Sequence, residues 1–331
     1  MESDGQPQGR KARFRAKINS HLPISAYLSG ASESYFLLTD SSGHLPVKLT
    51  THVIPLGPPY DPDPCGQPSW VPDKYWSQRY SLFSKYDEGI LMDEESWYSV
   101  THEAVAQVIA HTCADLGYVL DGFAGVGGNT IQFAERNHVI AIEIDKKKVA
   151  YLRRNAKVYG VQHKIKVIRG DFFEMAESVG PVDAVFLSPP WGGPNYQETA
   201  VFSMLDMVNP PLGPTLELCA KLTRTVFLYM PRNIDPCELL ELLKYLPHFP
   251  RRAEIQLYYF GSKVKTIGIL IGQAVQLDTC KVAEAVMAQG LSSCLVDRLF
   301  GEFGEELLVQ TALINEMERI GIEKSLAVQE S

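Results

Sequence analysis

The sequence predicts an α/β protein whose open, mainly parallel sheet carries helices on both faces. Three observations predict it. Short apolar runs at 118–120, 139–142, 165–168 and 185–187 alternate with helical patterns, as repeated strand–helix units do. The first three runs end in acids: Asp121, Glu143 and, after Gly170, Asp171. The segments 255–260 and 266–271, separated by Gly261 and Ser262, read as a hairpin that closes the sheet with a terminal antiparallel strand.

The chain opens polar and basic over residues 1 to about 50, where Ser25-Ala-Tyr-Leu and Tyr35-Phe-Leu-Leu-Thr39 suffice for one small element. Proline density between Pro55 and Pro72 predicts an extended linker and a boundary near Asp73. Tyr75, Arg79, Leu82, Phe83 and Tyr86 have the spacing of one face of an aromatic helix. A helix over 103–113 follows, with Thr101 as its N-cap. Further helices are expected over 129–135, 146–159 and 237–246, with a strand over 225–229 stopped by Pro231. Residues 276–331 have helical periodicity and read as a tail. The expected divisions are thus 1–72 (extension and linker), 73–115 (helical extension over the active site), 116–275 (core) and 276–331 (tail).

With 331 residues and 45% apolar content, the chain is long enough for a sizeable core. No apolar run of membrane-spanning length and no apolar segment after Met1 is present, so an intracellular protein is expected. The six cysteines form no Cys-x-x-Cys or Cys/His cluster, which argues for reduced thiols and no metal site. A net charge of −8 argues against broad coating of nucleic acid and leaves recognition of a terminus or a single base open. Local basic clusters occur at Arg10 to Lys17, Lys146 to Lys157, and Lys263 with Lys265.

Asp121-Gly-Phe-Ala-Gly-Val-Gly-Gly-Asn-Thr130 joins the first strand of the core to its helix. It lacks the lysine of a phosphate-binding loop, and Thr130 stands where a dinucleotide fingerprint needs its third glycine. A carboxylate at Asp121 repels a pyrophosphate but pairs with the ammonium of an amino-acid moiety, so the ligand implied is S-adenosylmethionine. Glu143 is then expected at the ribose hydroxyls, and Asp171 with Phe172 at the adenine. In Ser188-Pro-Pro-Trp191 two prolines remove donors, leaving carbonyls and a hydroxyl as acceptors beside an indole face. Such a loop suits a planar ring bearing an exocyclic amine.

Together these features resemble the Rossmann-like class I S-adenosylmethionine-dependent methyltransferases, which implies a seven-stranded sheet. Lys74-Tyr-Trp-Ser-Gln-Arg-Tyr80 with Leu82-Phe-Ser, Trp97-Tyr-Ser-Val-Thr101, Gly125-Val-Gly-Gly-Asn-Thr-Ile-Gln-Phe-Ala134, Ser188-Pro-Pro-Trp-Gly-Gly-Pro194 and Pro231-Arg-Asn233 resemble the trimethylguanosine synthase family over residues 73 to 273. The resemblance implies conversion of the 7-methylguanosine cap of small nuclear and nucleolar RNAs to the 2,2,7-trimethyl form. Ser188, Pro189 and Trp191 would be the catalytic set. Phe83, Thr101, Asp121, Phe123, Gly125, Asn129, Thr130, Glu143, Asp171, Phe172 and Ser188 would hold the cofactor. Lys74, Trp191, Asn195, Arg232 and Asn233 would hold the capped RNA, with Lys74 at its phosphates. Gly122, Ala124, Glu143 and His102 depart from the family pattern. The resemblance further implies nuclear residence, with the cytoplasm as a second compartment; it does not cover the tail, which is expected to recruit a protein partner, and the chain is expected to be a monomer. The rivals are methylation of an internal RNA base and a non-catalytic cap-binding module.

Overall fold

The computed structural model describes residues 33–40, 43–54, 66–192, 199, 201–261 and 263–289. Nine strands form one sheet: β1 (Glu33–Asp40), β2 (Gly43–Ile54), β3 (Tyr118–Asp121), β4 (His138–Glu143), β5 (Ile165–Arg169), β6 (Ala184–Leu187), β7 (Thr225–Pro231), β8 (Ala253–Phe260) and β9 (Lys263–Gly272). Their order across the sheet is β1-β2-β8-β9-β7-β6-β3-β4-β5. The seven expected strands are all present. Chain order reverses between β3 and β6, which run parallel, so the crevice outside their carboxyl ends is the ligand position for an open α/β sheet.

Local sequence explains the central strands. Every residue of Ala184–Leu187 is buried, as a strand covered by helices on both faces requires. Val185 and Leu187 enter the core on one face with the helix Leu212–Leu222, while Ala184 and Phe186 enter the other with Ile131 and Phe133 of the helix Gly128–Arg136. The helix Lys146–Tyr159 begins at Asp145, whose carboxylate caps the Lys147 and Lys148 amides, and ends at left-handed Gly160.

Four expectations need correction. The N-terminal segment is not a separate extension: β1 and β2 pair antiparallel, and β2 runs parallel to β8 from Val47↔Ala253 to Ile54↔Phe260. The antiparallel strand is last in sequence but interior in space, since β9 lies between β7 and β8. The tail's first helix, Thr279–Ala288, packs Val282, Ala283 and Val286 on Tyr35 and Leu37 of β1, so the expected cuts at 72 and 276 both run through one packed unit. Finally, the aromatic segment is not one helix. It is two single turns, Asp73–Trp76 and Arg79–Leu82, and a 3-10 turn Tyr86–Glu88. Arg79 is buried with its guanidinium 4.4 Å from both the Trp76 and Tyr80 ring centroids. Ring packing, rather than a continuous helical ladder, produced that periodicity.

Candidate active site

The loop after β3 is held by the acid that ends β4. Glu143 is buried; its Oε2 accepts from the Gly125 amide at 2.7 Å and its Oε1 from the Asp145 amide at 2.8 Å. Gly125 (φ +53°) and Gly127 (φ +99°) take left-handed conformations that turn the chain into the Gly128–Arg136 helix. Gly122 is needed for space: a Cβ there would stand 2.8 Å from the Phe172 ring and 2.9 Å from Leu187. That close approach accounts for one of the departures from the family pattern.

Asp121 is 1% exposed. Its Oδ2 accepts from the Thr130 hydroxyl at 2.6 Å, while Oδ1 is buried without a hydrogen bond. Burial pushes this carboxyl up to about 7, outweighing the lowering by the Thr130 hydroxyl and by the Phe123 amide, which approaches the carboxylate without meeting hydrogen-bond geometry at Oδ1. A buried acceptor left unsatisfied costs about 1–3 kcal/mol, so Oδ1 is suited to a donor supplied by a ligand. An ammonium beside it meets that need, which makes the donor set fit the amino-acid end of S-adenosylmethionine.

Asp171 ends the third strand as expected, but one of its oxygens is used locally, accepting from the Phe173 amide at 2.8 Å as the cap of the turn Phe172–Met175. Phe172 is buried and stacks on Phe123 with centroids 5.4 Å apart. Thr101 is not an N-cap: His102 occupies that position without a side-chain bond, and the buried Thr101 hydroxyl accepts from the Asn129 amide at 2.9 Å. The Asn129 Oδ1 is buried without a partner. Phe83 is 1% exposed and packs against Tyr159, enclosed by protein.

At the end of β6, Ser188 Oγ faces the Phe123 carbonyl at 3.5 Å, Pro189 is buried and Pro190 exposed. Trp191 is half-buried against Tyr229 of β7, with centroids 5.4 Å apart. The Tyr229 hydroxyl donates to Thr266 of β9 at 3.0 Å. Gly268 of β9 completes this arrangement: a Cβ there would be 2.6 Å from the Phe227 ring and 2.7 Å from the Tyr258 hydroxyl, so its absence lets aromatics of β7 and β8 meet across the strand. Tyr229 and Tyr258 lie 6.4 Å apart.

The remaining substrate candidates are scattered more widely. Lys74 is exposed above the Tyr75 ring at 4.6 Å, and Arg232 is exposed just past β7. The Asn233 side chain donates to the Thr199 carbonyl at 3.0 Å and so braces the return from the Trp191 loop. Asn195 lies outside the described residues.

Sequence reasoning missed several supports. Asn155 of the Lys146–Tyr159 helix, 0% exposed, exchanges hydrogen bonds with the Leu91 backbone and donates to the Val126 carbonyl at 3.0 Å, tying the aromatic segment to the glycine loop. Glu103 accepts from Ser84 and from the Tyr159 hydroxyl at 2.9 Å. The available signal was a polar residue at a core-facing helical position. Ile144, directly after Glu143, is 63% exposed, an apolar side chain standing in solvent beside the glycine loop. Among the described residues no His, Cys, Asp and Glu group is placed to hold a metal, and no helix is long and apolar enough to cross a membrane.

Strand order, the acid-clamped glycine loop and a Ser-Pro-Pro-Trp loop at the reversal point define a methyltransferase of the Rossmann-like class. The sequence profile of the RNA cap guanine-N2 methyltransferase family matches residues 116–274. The chain is 41% identical over 174 residues to the trimethylguanosine synthase of Schizosaccharomyces pombe, covering 50% of this chain and 73% of that one. It is 38% identical over 174 residues to that of Saccharomyces cerevisiae, covering 49% of this chain and 55% of that one. This chain belongs to the RNA cap guanine-N2 methyltransferase family, that of the trimethylguanosine synthases. Among solved structures it resembles a methyltransferase from Porphyromonas gingivalis at 16% identity and a TM-score of 0.48, over 66% of this chain and 55% of that one. At that score the fold rests on the strand order.

Proposed function

We propose that this chain uses S-adenosylmethionine to methylate the exocyclic amine of a 7-methylguanosine RNA cap, yielding the 2,2,7-trimethyl form. The observation that carries the reading is the indole of Trp191, propped by Tyr229 at the carboxyl end of β6, next to the strand that ends in the orphaned carboxylate of Asp121. A 7-methylated guanine is cationic, so an electron-rich indole face discriminates it from the neutral base.

When bound, the cofactor supplies an electrophilic sulfonium methyl. Asp121 pairs with its ammonium and Glu143 with its ribose hydroxyls. Asp171 has one oxygen free of the helix cap for the adenine amine, beside Phe172 and Ile144. Ser188 and the Pro189 carbonyl accept from the guanine amine and aim its lone pair, while Lys74 and Arg232 meet the phosphates. Alignment and exclusion of water account for the rate, and no covalent enzyme intermediate is needed. Two single transfers occur with release between them. The protein acts as a monomer in the nucleus, with the cytoplasm as a second compartment, and residues beyond 289 recruit a protein partner.

The test is methyl transfer to a 7-methylguanosine cap dinucleotide, followed by mass. One and then two added methyls are expected, the first product accumulating early at low enzyme concentration. Transfer only to an internal base of an uncapped RNA would overturn the reading.

A further inference from the structure

The basic run at 144–169 has no part in the reaction described above. It holds nine lysines and arginines against a single acid, Asp145, in a chain of net charge −8. The helix Lys146–Tyr159 carries six of those cations and no acid at all. That composition opposes the helix twice. Lys146, Lys147 and Lys148 stand in the first turn, where the helix dipole disfavours positive charge, and Arg153 and Lys157 are like charges at i, i+4. A solvated helix ordinarily alternates the signs along its face.

Part of the set is used inside the protein. Lys148 pairs with Glu95, and the Arg154 guanidinium donates to the Gly89 carbonyl at 3.2 Å. The rest is not. Lys146, Arg153 and Lys157 are exposed, fall on one stripe of the helix by its 3.6-residue period, and make no ion pair among the described residues. The Arg153 guanidinium reaches the Val167 carbonyl of β5 at 3.5 Å, which turns the stripe toward that strand. Arg169 joins it. Alternation along β5 puts Arg169 on the side of Ile165 and Val167, which pack with Leu152 of the helix, and its register partner is Glu143, from which the chain runs on to Lys146. Arg169 too is exposed and makes no ion pair among the described residues. Lysine on an edge strand guards against pairing with another chain, which explains Lys166 of β5 but not a stripe on a helix.

Arg169 and Lys146 lie at the carboxyl edge of the sheet, the edge that carries Trp191, and the stripe runs from there to Lys157 over about 16 Å of helix axis. Buried Asn155 fixes the helix to the glycine loop through the Val126 carbonyl, so the stripe is a rigid track. A row of cations with no apolar anchor fits a polyanion. Protein partners are gripped by buried aromatic and aliphatic side chains at an interface depleted of charge, and between Lys146 and Lys157 the stripe offers only Ala150.

We infer that the stripe of Arg169, Lys146, Arg153 and Lys157 binds the phosphodiester backbone of the capped RNA downstream of its cap. The inference rests on the cap-methylating reading and adds to it a track for the RNA body. In that reading the cap phosphates meet Arg232 past β7, on the opposite side of β6, so the stripe serves nucleotides that a cap dinucleotide lacks.

The triple variant Lys146→Gln, Arg153→Gln, Lys157→Gln and the conservative double variant Lys146→Arg, Lys157→Arg are compared with the wild type. Each is assayed on a 7-methylguanosine cap dinucleotide and on a capped RNA of about twenty nucleotides, and is titrated with the same RNA lacking its cap. Neutralising the stripe is expected to raise KM about tenfold on the capped RNA, with kcat retained and the dinucleotide unaffected. Affinity for the uncapped RNA falls by a similar factor, and its salt slope becomes shallower by about two units, at about 0.7 per phosphate contact. The arginine variant keeps wild-type values. An unchanged KM and salt slope on the long RNA overturns the inference and leaves the stripe to an acidic protein surface or to solvent. An equal loss on the dinucleotide overturns it too, because the helix then acts on the fold of the site. A wild type inactive on every capped substrate overturns the underlying reading instead, and the uncapped titration still decides the stripe.

Discussion

Asp121→Asn removes the ligand-facing charge while keeping the side chain's shape and an acceptor for Thr130. The Asp121 carboxyl is pushed up to about 7 from its ordinary 3.8, and each pH unit is worth about 1.36 kcal/mol. Keeping it ionised in the empty protein therefore costs on the order of 4 kcal/mol. The sign follows from proton counts. Between pH 3.8 and about 7 the folded protein holds a proton that the unfolded chain has lost, so this group's contribution to stability falls as pH rises through that window. A cationic ligand reverses the preference, and below pH 7 its binding must expel the proton. Wild-type affinity for S-adenosylmethionine should thus weaken by up to about tenfold per pH unit as pH falls from about 7. Asp121→Asn should bind about 10- to 100-fold more weakly at pH 7.5, lose that pH dependence, and in the unliganded state be at least as stable as wild type near neutrality. Calorimetric titration between pH 5.5 and 7.5, with thermal melts of the empty protein, reads all three. Equal affinity in the two proteins, or a wild-type affinity flat with pH, would refute the assignment of Oδ1 to the cofactor's ammonium.

Two further outcomes follow from the same geometry. Glu143→Gln can satisfy only one of the two amides, Gly125 and Asp145, that the carboxylate now accepts; it should weaken cofactor binding about tenfold and lower stability by about 1–3 kcal/mol, read by titration and melting, and unchanged binding would contradict the clamp. Gly268→Ala must displace the Phe227 ring or the Tyr258 hydroxyl, costing about 1–3 kcal/mol and on the order of 5 °C in Tm, with a higher KM for the cap as Tyr229 shifts; a wild-type melt would mean the aromatic contacts across β9 are looser than described.

The methyltransferase core was legible because its signals are local. Its first three strands are short apolar runs with an acid at or just past the end, and the Lys146–Tyr159 helix carries its own Asp145 cap and Gly160 stop. The N-terminal strands were not legible because their meaning is remote. Tyr35 to Thr39 reveals an element, yet its place depends on β2 finding β8 some two hundred residues later, and Pro46 weakens the strand pattern of β2 itself. Thr101 precedes a helix as an N-cap would, but a buried amide 28 residues on claims its hydroxyl. The acids and Trp191 could be named from sequence because chemistry restricts what they can do at a strand end. Tyr229 and Gly268 could not, since their use depends on register between β7, β8 and β9.

The most direct test of the central claim is labelled methyl transfer to a 7-methylguanosine cap and to an unmethylated guanosine cap, each with wild type, Trp191→Phe and Trp191→Ala. Cationic-base stacking predicts transfer to the methylated cap alone, reduced in Trp191→Phe and lost in Trp191→Ala. Equal transfer to both caps, or full activity in Trp191→Ala, would contradict it.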